Sequence, residues 1–368
     1  MKLNFIDLKR QYESIKEEVN NAVIEVMESC AYVGGEHINK LEEEASEFCG
    51  CSYGVGTGSG TDSLLAALMA LDIKSGDEVI TTPFTFIATA ETIALLGAKP
   101  VFADIDPITF NIDPQDFKKK ITSRTKAVIP VHLYGNPADM DEICSIASKK
   151  NIRIIEDSAQ AIGAVYKGKP VCSIGDIGCL SFFPSKNLGC YGDGGMAVTN
   201  DEKLYKKMKM LINHGSGKKY NHKMVGYNMR LDNIQAAVLR IKLRKLEGWL
   251  DSRQQKANYY TLNLSKIKKL TTPSPARDCR HVYNQYTIRA GSRNALSNFL
   301  NENGIPTAVH YPKCLHMQEA FSYLGYKKGD LPNAEKAARE VVSLPMFPEI
   351  KKKEQDMVIK SIEEYYKK

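Results

Sequence analysis

Short strand-like runs alternate with helical stretches through the middle of the chain, and this alternation limits the possible folds more than any other feature of the sequence. Helical periodicity separates the runs over Ala88 to Leu96 and Met140 to Lys149. Such alternation predicts the α/β class, with a largely parallel sheet flanked by helices. The predicted strands are Glu78 to Thr81, Pro100 to Ala103, Ala127 to Val131, Arg153 to Ile155, Cys179 to Phe183 and Met196 to Thr199.

Two helices are predicted before this region, and a second, smaller unit after it. The first helix covers about Leu8 to Ser29, and the second ends at Gly50. A chain of 368 residues exceeds the roughly 250 to 300 residues at which single cores stop growing, so we predict a large domain over residues 1–246 and a small α+β domain over residues 247–368. The elements predicted in the small domain are a helix over Gln254 to Leu262, a strand over Gln285 to Arg289, a helix over Ala295 to Glu302 and a terminal helix.

The net charge of +7 comes from lysines and arginines spread along the chain. Clusters such as Lys118 to Lys120 and Lys351 to Lys353 are mixed with acids or followed by them. A nucleic-acid-binding protein more often concentrates its basic residues on one face and interleaves aromatic ones. We therefore predict no nucleic-acid partner.

Hydropathy and cysteine usage favour a reducing, aqueous environment. The longest apolar stretches, such as Leu64 to Leu71, are much shorter than the roughly 18 residues of a membrane span, and the first residues do not resemble a signal peptide. We therefore predict no membrane partner and a cytoplasmic location. The nine cysteines are odd in number and include no CxxC pair, which favours reduced thiols. The seven histidines are scattered, and we predict no metal.

Lys186 and Asp157 carry the most chemical information in the sequence. Lys186 follows Pro184 and precedes the glycine-rich stretch Gly189 to Gly195. A lysine amine can form an imine with the aldehyde of pyridoxal phosphate (PLP), and an aspartate can keep the pyridine nitrogen protonated. Asp157 ends a strand-like run, and ligands of open α/β sheets bind outside the carboxyl ends of strands. The pair predicts a PLP enzyme, against the alternatives of a surface lysine and an aspartate that caps a helix.

A glycine-rich segment, Gly56 to Ser63, directly precedes an apolar helical stretch and predicts a phosphate site. By itself, such a loop is better explained as a glycine turn capped by Thr61 or Ser63. It also fits poorly to a dinucleotide-binding oxidoreductase, because the third glycine of that fingerprint is replaced by Thr61. An oxidoreductase would leave Asp157 and Lys186 without paired roles.

Two more residues have positions that favour cofactor contacts. Gln160 would lie one turn along a helix that begins at Asp157 and would reach the phenolic oxygen of the cofactor. Ser181 is placed to donate its hydroxyl to the phosphate. Burial would lower the pKa of Lys186, so that its neutral amine can act as nucleophile and proton carrier.

Together these segments resemble the DegT/DnrJ/EryC1/StrS sugar aminotransferases, which have PLP fold type I, and the resemblance covers nearly the whole chain. Ser59, where asparagine is frequent, and Cys314, where proline is frequent, depart from the common family forms. The matching stretches are Phe5 to Leu8, Gly60 to Asp62, Thr85 to Ala90, Val131 to Gly135, Glu156 to Gln160, Ser181 to Lys186 and Gly226 to Asp232.

The resemblance implies further cofactor contacts. Phe86 would stack on the pyridine ring, while Gly60, Thr61 and Ser181 would hold the phosphate. Asn228 would reach the phosphate from the other subunit, which implies a homodimer with shared active sites. The residues alone leave two alternatives open, a Phe86 that is plain core and an Asn228 that is a turn residue.

The implied reaction is the transfer of an amino group in two stages. Glutamate leaves its nitrogen on the cofactor, and this nitrogen then replaces a ketone oxygen on a nucleotide-linked sugar. Lys186 would move the proton in both stages. Family members with histidine in place of this lysine act as dehydratases, so Lys186 indicates a transaminase.

Segments near the C-terminus are similar to the subgroup that aminates C3 of UDP-2-acetamido-2-deoxy-3-keto-glucuronic acid for cell-surface polysaccharide synthesis. Arg230, His310 and Tyr311 match positions that this subgroup uses around the sugar, and a guanidinium is suited to a carboxylate. A rigid turn explains His310 to Pro312 equally well. The alternatives are an aminotransferase for a 4-keto-6-deoxy nucleotide sugar and a non-catalytic PLP-binding regulator.

Overall fold

The computed structural model describes residues 3–218, 220–276 and 278–367. Its helices are α1 (Leu8–Ser29), α2 (Glu36–Phe48), α3 (Gly60–Ala70), α4 (Ala88–Leu95), α5 (Pro114–Lys120), α6 (Met140–Ser148), α7 (Glu202–Leu211), α8 (Asn233–Leu264), α9 (Arg293–Glu302), α10 (Pro332–Glu340) and α11 (Lys352–Lys367). Its strands are β1 (Tyr53–Thr57), β2 (Glu78–Thr81), β3 (Lys99–Phe102), β4 (Thr125–Ile129), β5 (Arg153–Asp157), β6 (Val165–Tyr166), β7 (Lys169–Pro170), β8 (Ile177–Ser181), β9 (Gly195–Thr199), β10 (Ser216–Lys218), β11 (Asn221–His222), β12 (Leu270–Thr271), β13 (Cys279–Arg280), β14 (Tyr286–Ala290) and β15 (Val341–Leu344).

A seven-stranded sheet has the strand order β1-β9-β8-β5-β4-β2-β3. The pairs from β3 to β8 are parallel, whereas β9 runs antiparallel to both β8 and β1. The predicted α/β fold with a mostly parallel sheet flanked by helices is confirmed. Because the carboxyl ends of β5 and β8 meet at one edge, the sheet brings Asp157 and Ser181 to the same side of the molecule.

Two apolar layers cover the two faces of this sheet. In β5, Ile154 packs in the layer that contains residues of α2 and α8, and Ile155 packs in the layer that contains residues of α3 and α7. Successive side chains of a strand point to opposite faces, so a strand buried on both faces is apolar at consecutive positions. This explains why the strands appear as continuous runs in the sequence.

The predicted elements differ from the observed ones mainly at their ends. Strand boundaries move by one or two residues, and α1 has the predicted bounds, with Asp7 as its N-cap accepting from the backbone N–H of Arg10 at 3.1 Å. The predicted helix over Gln254 to Leu262 is only the last part of the much longer α8.

The C-terminal region contains a three-stranded antiparallel sheet, β12-β14-β15. Its core includes the end of α8 together with residues of α9 and α11. Position 246 lies inside α8, and the division into domains at this position stays a prediction. Within the described ranges, no helix has both the length and the apolar character needed to cross a membrane. The nine cysteines are free thiols.

Candidate active site

A cavity of about 520 Å³ lies at the carboxyl ends of β5 and β8. It is bordered by the N-terminus of α3, by the segment before α4 and by a loop near residue 310. The predicted site residues that line it are Gly60, Thr61, Phe86, Asp157, Gln160, Ser181, Lys186, His310 and Tyr311. The fold thus gathers residues from widely separated parts of the chain around one space large enough for a small-molecule ligand.

Asp157 is the last residue of β5 and is 5% exposed. Its Oδ2 accepts from the Thr89 hydroxyl at 2.7 Å, and its Oδ1 accepts from the backbone N–H of Ala159 at 3.2 Å. Burial raises the pKa of Asp157, while these hydrogen bonds and the nearby Lys186 oppose the increase. The N-cap alternative is wrong, because turns rather than a helix follow Asp157. The helix assumed in placing Gln160 is absent for the same reason.

Lys186 lies in a turn closed by a hydrogen bond from its own N–H to the carbonyl of Phe183 at 2.9 Å. Burial lowers the pKa of Lys186 to about 8, and the negative charge of Asp157 opposes this change. A surface lysine would keep its ordinary pKa, so this position has the character of an amine held ready to lose its proton. Lys186 is only partly exposed and lines the cavity, so the surface-lysine alternative is wrong.

The N-terminus of α3 forms a cradle for an anion. Ser59 is its N-cap and accepts from the N–H of Asp62 at 3.0 Å, which corrects the alternative in which Thr61 or Ser63 caps the turn. The first N–H groups of a helix have no partner within it, and those of Gly60 and Thr61 border the cavity. A Cβ on Gly60 would lie 2.6 Å from the Cβ of Ser181, so only glycine allows this close approach.

Gln160, Tyr311 and His310 also line the cavity. The Gln160 side chain accepts from the N–H of Tyr134 at 2.6 Å and donates to the Tyr311 hydroxyl at 3.2 Å. The rings of Tyr311 and Phe86 have centroids 6.4 Å apart. Burial and the charge of Lys186 lower the pKa of His310 to about 4, so this imidazole is neutral near pH 7.

The sequence left open a core position for Phe86 and a turn position for Asn228. Phe86 is 57% exposed and lines the cavity, so it is not a core residue. Asn228 is exposed and forms a β-bridge with Asn213. Neither Asn228 nor Arg230 lines the cavity of its own chain, within the described residues. Arg230 donates from Nη1 to Asn213 at 2.7 Å, and its buried Nε has no described partner.

Comparison with known proteins identifies the family. The family model described as the DegT/DnrJ/EryC1/StrS aminotransferase family matches residues 13–363. The chain belongs to this family. A UDP-2-acetamido-2-deoxy-3-oxo-D-glucuronate aminotransferase from Pseudomonas aeruginosa is 46% identical over 94% of the chain and 95% of its own length. A protein from Geobacillus stearothermophilus named "Pleiotropic regulatory protein" is 49% identical over 100% of the chain and 99% of its own length.

Solved structures of the DegT/DnrJ/EryC1/StrS family support the same conclusion. The crystal structure of DesV from S. venezuelae superposes with a TM-score of 0.98 at 39% identity, covering 100% of this chain and 99% of that one. The chain is therefore a PLP-dependent sugar aminotransferase. The cavity fits this cofactor, since it combines a buried carboxylate, a lysine of lowered pKa and a glycine cradle at a helix N-terminus.

A buried pair next to this aminotransferase site was not predicted from the sequence. Glu156 accepts from the His132 ring at 2.9 Å, and the other ring nitrogen of His132 accepts from the N–H of Ala138 at 3.0 Å, which places the proton on Nε2. Glu156 also accepts from three backbone N–H groups, those of Cys172, Ile174 and Gly175. The segments that contain both residues belong to the matched stretches, but the sequence gives no sign that they meet.

A second lysine of low pKa lies behind the loop that follows Lys186. Lys242 donates to the carbonyl of Gly189 at 2.5 Å and lies 4.4 Å from the centre of the Tyr191 ring. It is 1% exposed, and burial lowers its pKa to about 8. It lines an apolar groove beside α1 and not the aminotransferase cavity. In the described ranges, no cluster of histidine, cysteine or acidic residues could hold a metal.

Proposed function

We propose that this protein transfers an amino group from glutamate to C3 of UDP-2-acetamido-2-deoxy-3-keto-glucuronic acid. The observation that carries the proposal is the placement of Lys186 and Asp157 on one cavity whose third side is the N-terminus of α3. The similarity to the P. aeruginosa enzyme named for this keto sugar supports the choice of substrate. A 4-keto-6-deoxy nucleotide sugar is the second candidate of the same class.

Each residue at the cofactor end has a role in this proposal. PLP, when bound, supplies an electron-poor ring that weakens bonds to the carbon carrying the amino group. Asp157 holds the proton on the ring nitrogen, and Lys186 moves the proton at the reacting carbon. Gly60 and Thr61 bind the phosphate through their N–H groups. The supporting observations are the burial of Asp157 on the cavity and the lowered pKa of Lys186.

Four further residues complete the proposed cofactor site. Phe86 stacks on the ring, Ser181 donates to the phosphate, and Gln160 contacts the phenolic oxygen. Their places on the cavity wall support these roles. Asn228 reaches the phosphate from the partner subunit, which agrees with its position outside the cavity of its own chain. The homodimer and the cytoplasmic location are parts of this proposal.

At the sugar end, we assign His310 and Tyr311 to the sugar ring and Arg230 to the uronate carboxylate. Because Arg230 and Asn228 lie on the same segment outside their own cavity, we assign both to the site of the partner subunit. A guanidinium can donate two parallel hydrogen bonds to a carboxylate, and the Nε of Arg230 has no described partner that would compete.

The anchor for the cofactor can be tested directly. The protein incubated with PLP should absorb in the visible range, and borohydride should abolish this band and fix a pyridoxyl group on Lys186 that peptide mass mapping detects. Lys186→Ala should lack the modification and should lose amino transfer by more than about 1000-fold, as expected for removal of the group that transfers the proton. A pyridoxyl group found on another lysine would overturn the assignment.

The substrate can be tested by assaying both keto sugars with glutamate. The wild type should prefer the 3-keto uronate, and Arg230→Ala should lower kcat/KM for it by about 10- to 100-fold, the loss expected for a charge-assisted hydrogen bond. Arg230→Lys is the matched control, because it keeps the charge but not the planar fork. If Arg230→Ala aminates the uronate normally, the carboxylate assignment is wrong.

The non-catalytic regulator conflicts with the family assignment, and the one observation in its favour is the name of the relative from G. stearothermophilus. A non-catalytic regulator would bind PLP without turnover. The assay with glutamate and the two keto sugars therefore separates the candidates, since sustained amino transfer contradicts a purely regulatory role.

A further inference from the structure

Gln285 lines the cavity but has no role in the proposed function so far. It directly precedes β14, where Tyr286 pairs with Leu344 of β15. On its other side, Asn284 donates its N–H to the carbonyl of Tyr134 at 2.9 Å. Both neighbours are thus held by backbone contacts, and the position of Gln285 on the wall is fixed by the fold.

The side-chain oxygen of Gln285 is unpaired within the described residues. This atom, Oε1, is buried, and no hydrogen bond partner exists for it in the part of the chain that the structure describes. A buried polar group without a partner costs about 1 to 3 kcal/mol, so such groups are rare unless a ligand or water satisfies them. Gln160, on the same cavity, shows the contrast, because both ends of its amide are bound within the protein.

The chemistry of an amide indicates which part of the ligand it would contact. A primary amide offers both a donor and an acceptor, and rotation about its terminal torsion exchanges the two. The phosphate and phenolic oxygen of PLP are acceptors and already have donors assigned. A secondary amide offers one N–H and one carbonyl, which a primary amide can match with a pair of hydrogen bonds.

We propose that Gln285 is a specificity-determining residue that recognises the 2-acetamido group beside the carbonyl carbon of the sugar. This inference rests on the proposed function and assigns a residue of the protein to the acetamido group at C2 of its substrate. Binding would satisfy the buried oxygen, whereas a sugar with a hydroxyl at C2 would leave part of the amide unpaired.

The test compares the 2-acetamido and 2-hydroxy forms of the 3-keto nucleotide sugar. In the wild type, kcat/KM should favour the acetamido form, and Gln285→Leu should remove about 10-fold of this preference, mainly through KM, as expected for two neutral hydrogen bonds. Gln285→Asn, which keeps a shorter amide, should restore part of it. The visible spectrum of bound PLP and the half-reaction with glutamate should not change.

Gln318→Leu is the matched control, because it removes an amide that donates to the carbonyl of Lys313 outside the cavity. If Gln285→Leu keeps the wild-type ratio between the two sugars, the inference is wrong while the proposed function stands. If Gln285→Leu does not fold, an unchanged ratio in Gln285→Ala, which also lacks the amide, has the same meaning. If the wild type aminates neither 3-keto sugar, the proposed function and this inference both fail.

Discussion

The two ends of the active-site cavity differ in how their polar groups are satisfied. At the cofactor end, both oxygens of Asp157 accept hydrogen bonds, and the side chain of Ser59 caps α3. At the proposed sugar end, the Gln285 side-chain oxygen lacks a described partner, and Gln285 lies outside the regular elements. The Asp157 and Ser59 side chains are therefore fixed before ligand binds, whereas Gln285 keeps an unused acceptor. Changes at the first end should affect every substrate, and changes at the second should affect one.

Among the changes that test this contrast, the largest effect is expected from Asp157→Asn. An amide cannot hold a proton on the ring nitrogen as a carboxylate does, so kcat should fall by about 100- to 1000-fold, the size of loss seen when one charge-stabilising group is removed. Single-turnover measurements should show this loss in both the glutamate and the sugar half-reactions. Thr89→Val, which removes only the 2.7 Å hydrogen bond to Asp157, is the control and should lose about 10-fold. A loss confined to the sugar half-reaction would contradict the contrast between the two ends.

A smaller effect is expected from Gly60→Ala. Its new Cβ would meet the Cβ of Ser181 at 2.6 Å, which forces the N-terminus of α3 away from β8. The affinity for PLP should fall by at least about 10-fold, and KM for the sugar should change little at saturating cofactor. Gly248→Ala is the matched control, because Gly248 lies within α8 and its Cβ would meet nothing within 4 Å. Gly248→Ala should gain about 1 kcal/mol of stability. Equal PLP affinity in the two variants would show that the N-terminus of α3 does not bind the phosphate of the cofactor.

The smallest effect concerns how the stability of the fold depends on pH. It involves Lys242, the second lysine of low pKa. Lys242 has a pKa of about 8 in the folded protein and an ordinary value near 10.5 when unfolded. Above pH 8 the unfolded chain retains the proton that the folded protein has lost, so the contribution of Lys242 to stability rises with pH up to about 10. Relative to Lys242→Met, the wild type should gain about 1 kcal/mol per pH unit in this window.

Urea unfolding of both proteins at pH 7.5, 8.5 and 9.5 with saturating PLP measures this difference. Lys186 is common to both proteins and its own pH dependence cancels. Parallel stability curves for the wild type and Lys242→Met would show that Lys242 keeps its proton throughout. The activity of Lys242→Met at pH 7.5 indicates how far the loop after Lys186 depends on the contact with Gly189.

Sequence reasoning named Asp157 and Gly60, which the structure places on the cavity, but it missed Gln285. Asp157 and Gly60 lie at ends of regular elements, where local patterns predict both the element and the exposed edge. Gln285 instead stands out because its side-chain oxygen has no described hydrogen-bond partner. Such an absence can be recognised only once the positions of all neighbouring residues are known. The pairing of Glu156 with His132 was missed because the partners of Glu156 come from separate loops.

The length of α8 was underestimated for a different physical reason. Its helix contains the buried side chains Lys242 and Arg253, and Arg253 donates to the carbonyls of Tyr283 and Met346 at 3.0 and 3.2 Å. Charged residues at buried positions interrupt the apolar period on which a helix prediction depends. The apolar period of α8 is thus interrupted by residues whose burial depends on tertiary contacts, which the sequence pattern does not show.

The adjacent acids Glu156 and Asp157 point to opposite faces of β5, one into a nest of backbone donors and the other into the cavity. Two neighbouring acidic residues therefore serve separate tasks, because the alternation of side chains along the strand directs them to opposite faces. Deleting one residue from β5 would exchange their directions, turning the structural acid toward the cofactor and the chemical acid into the protein. A change in the number of residues in β5 would therefore misplace both acids at once, whereas a substitution alters only one of them.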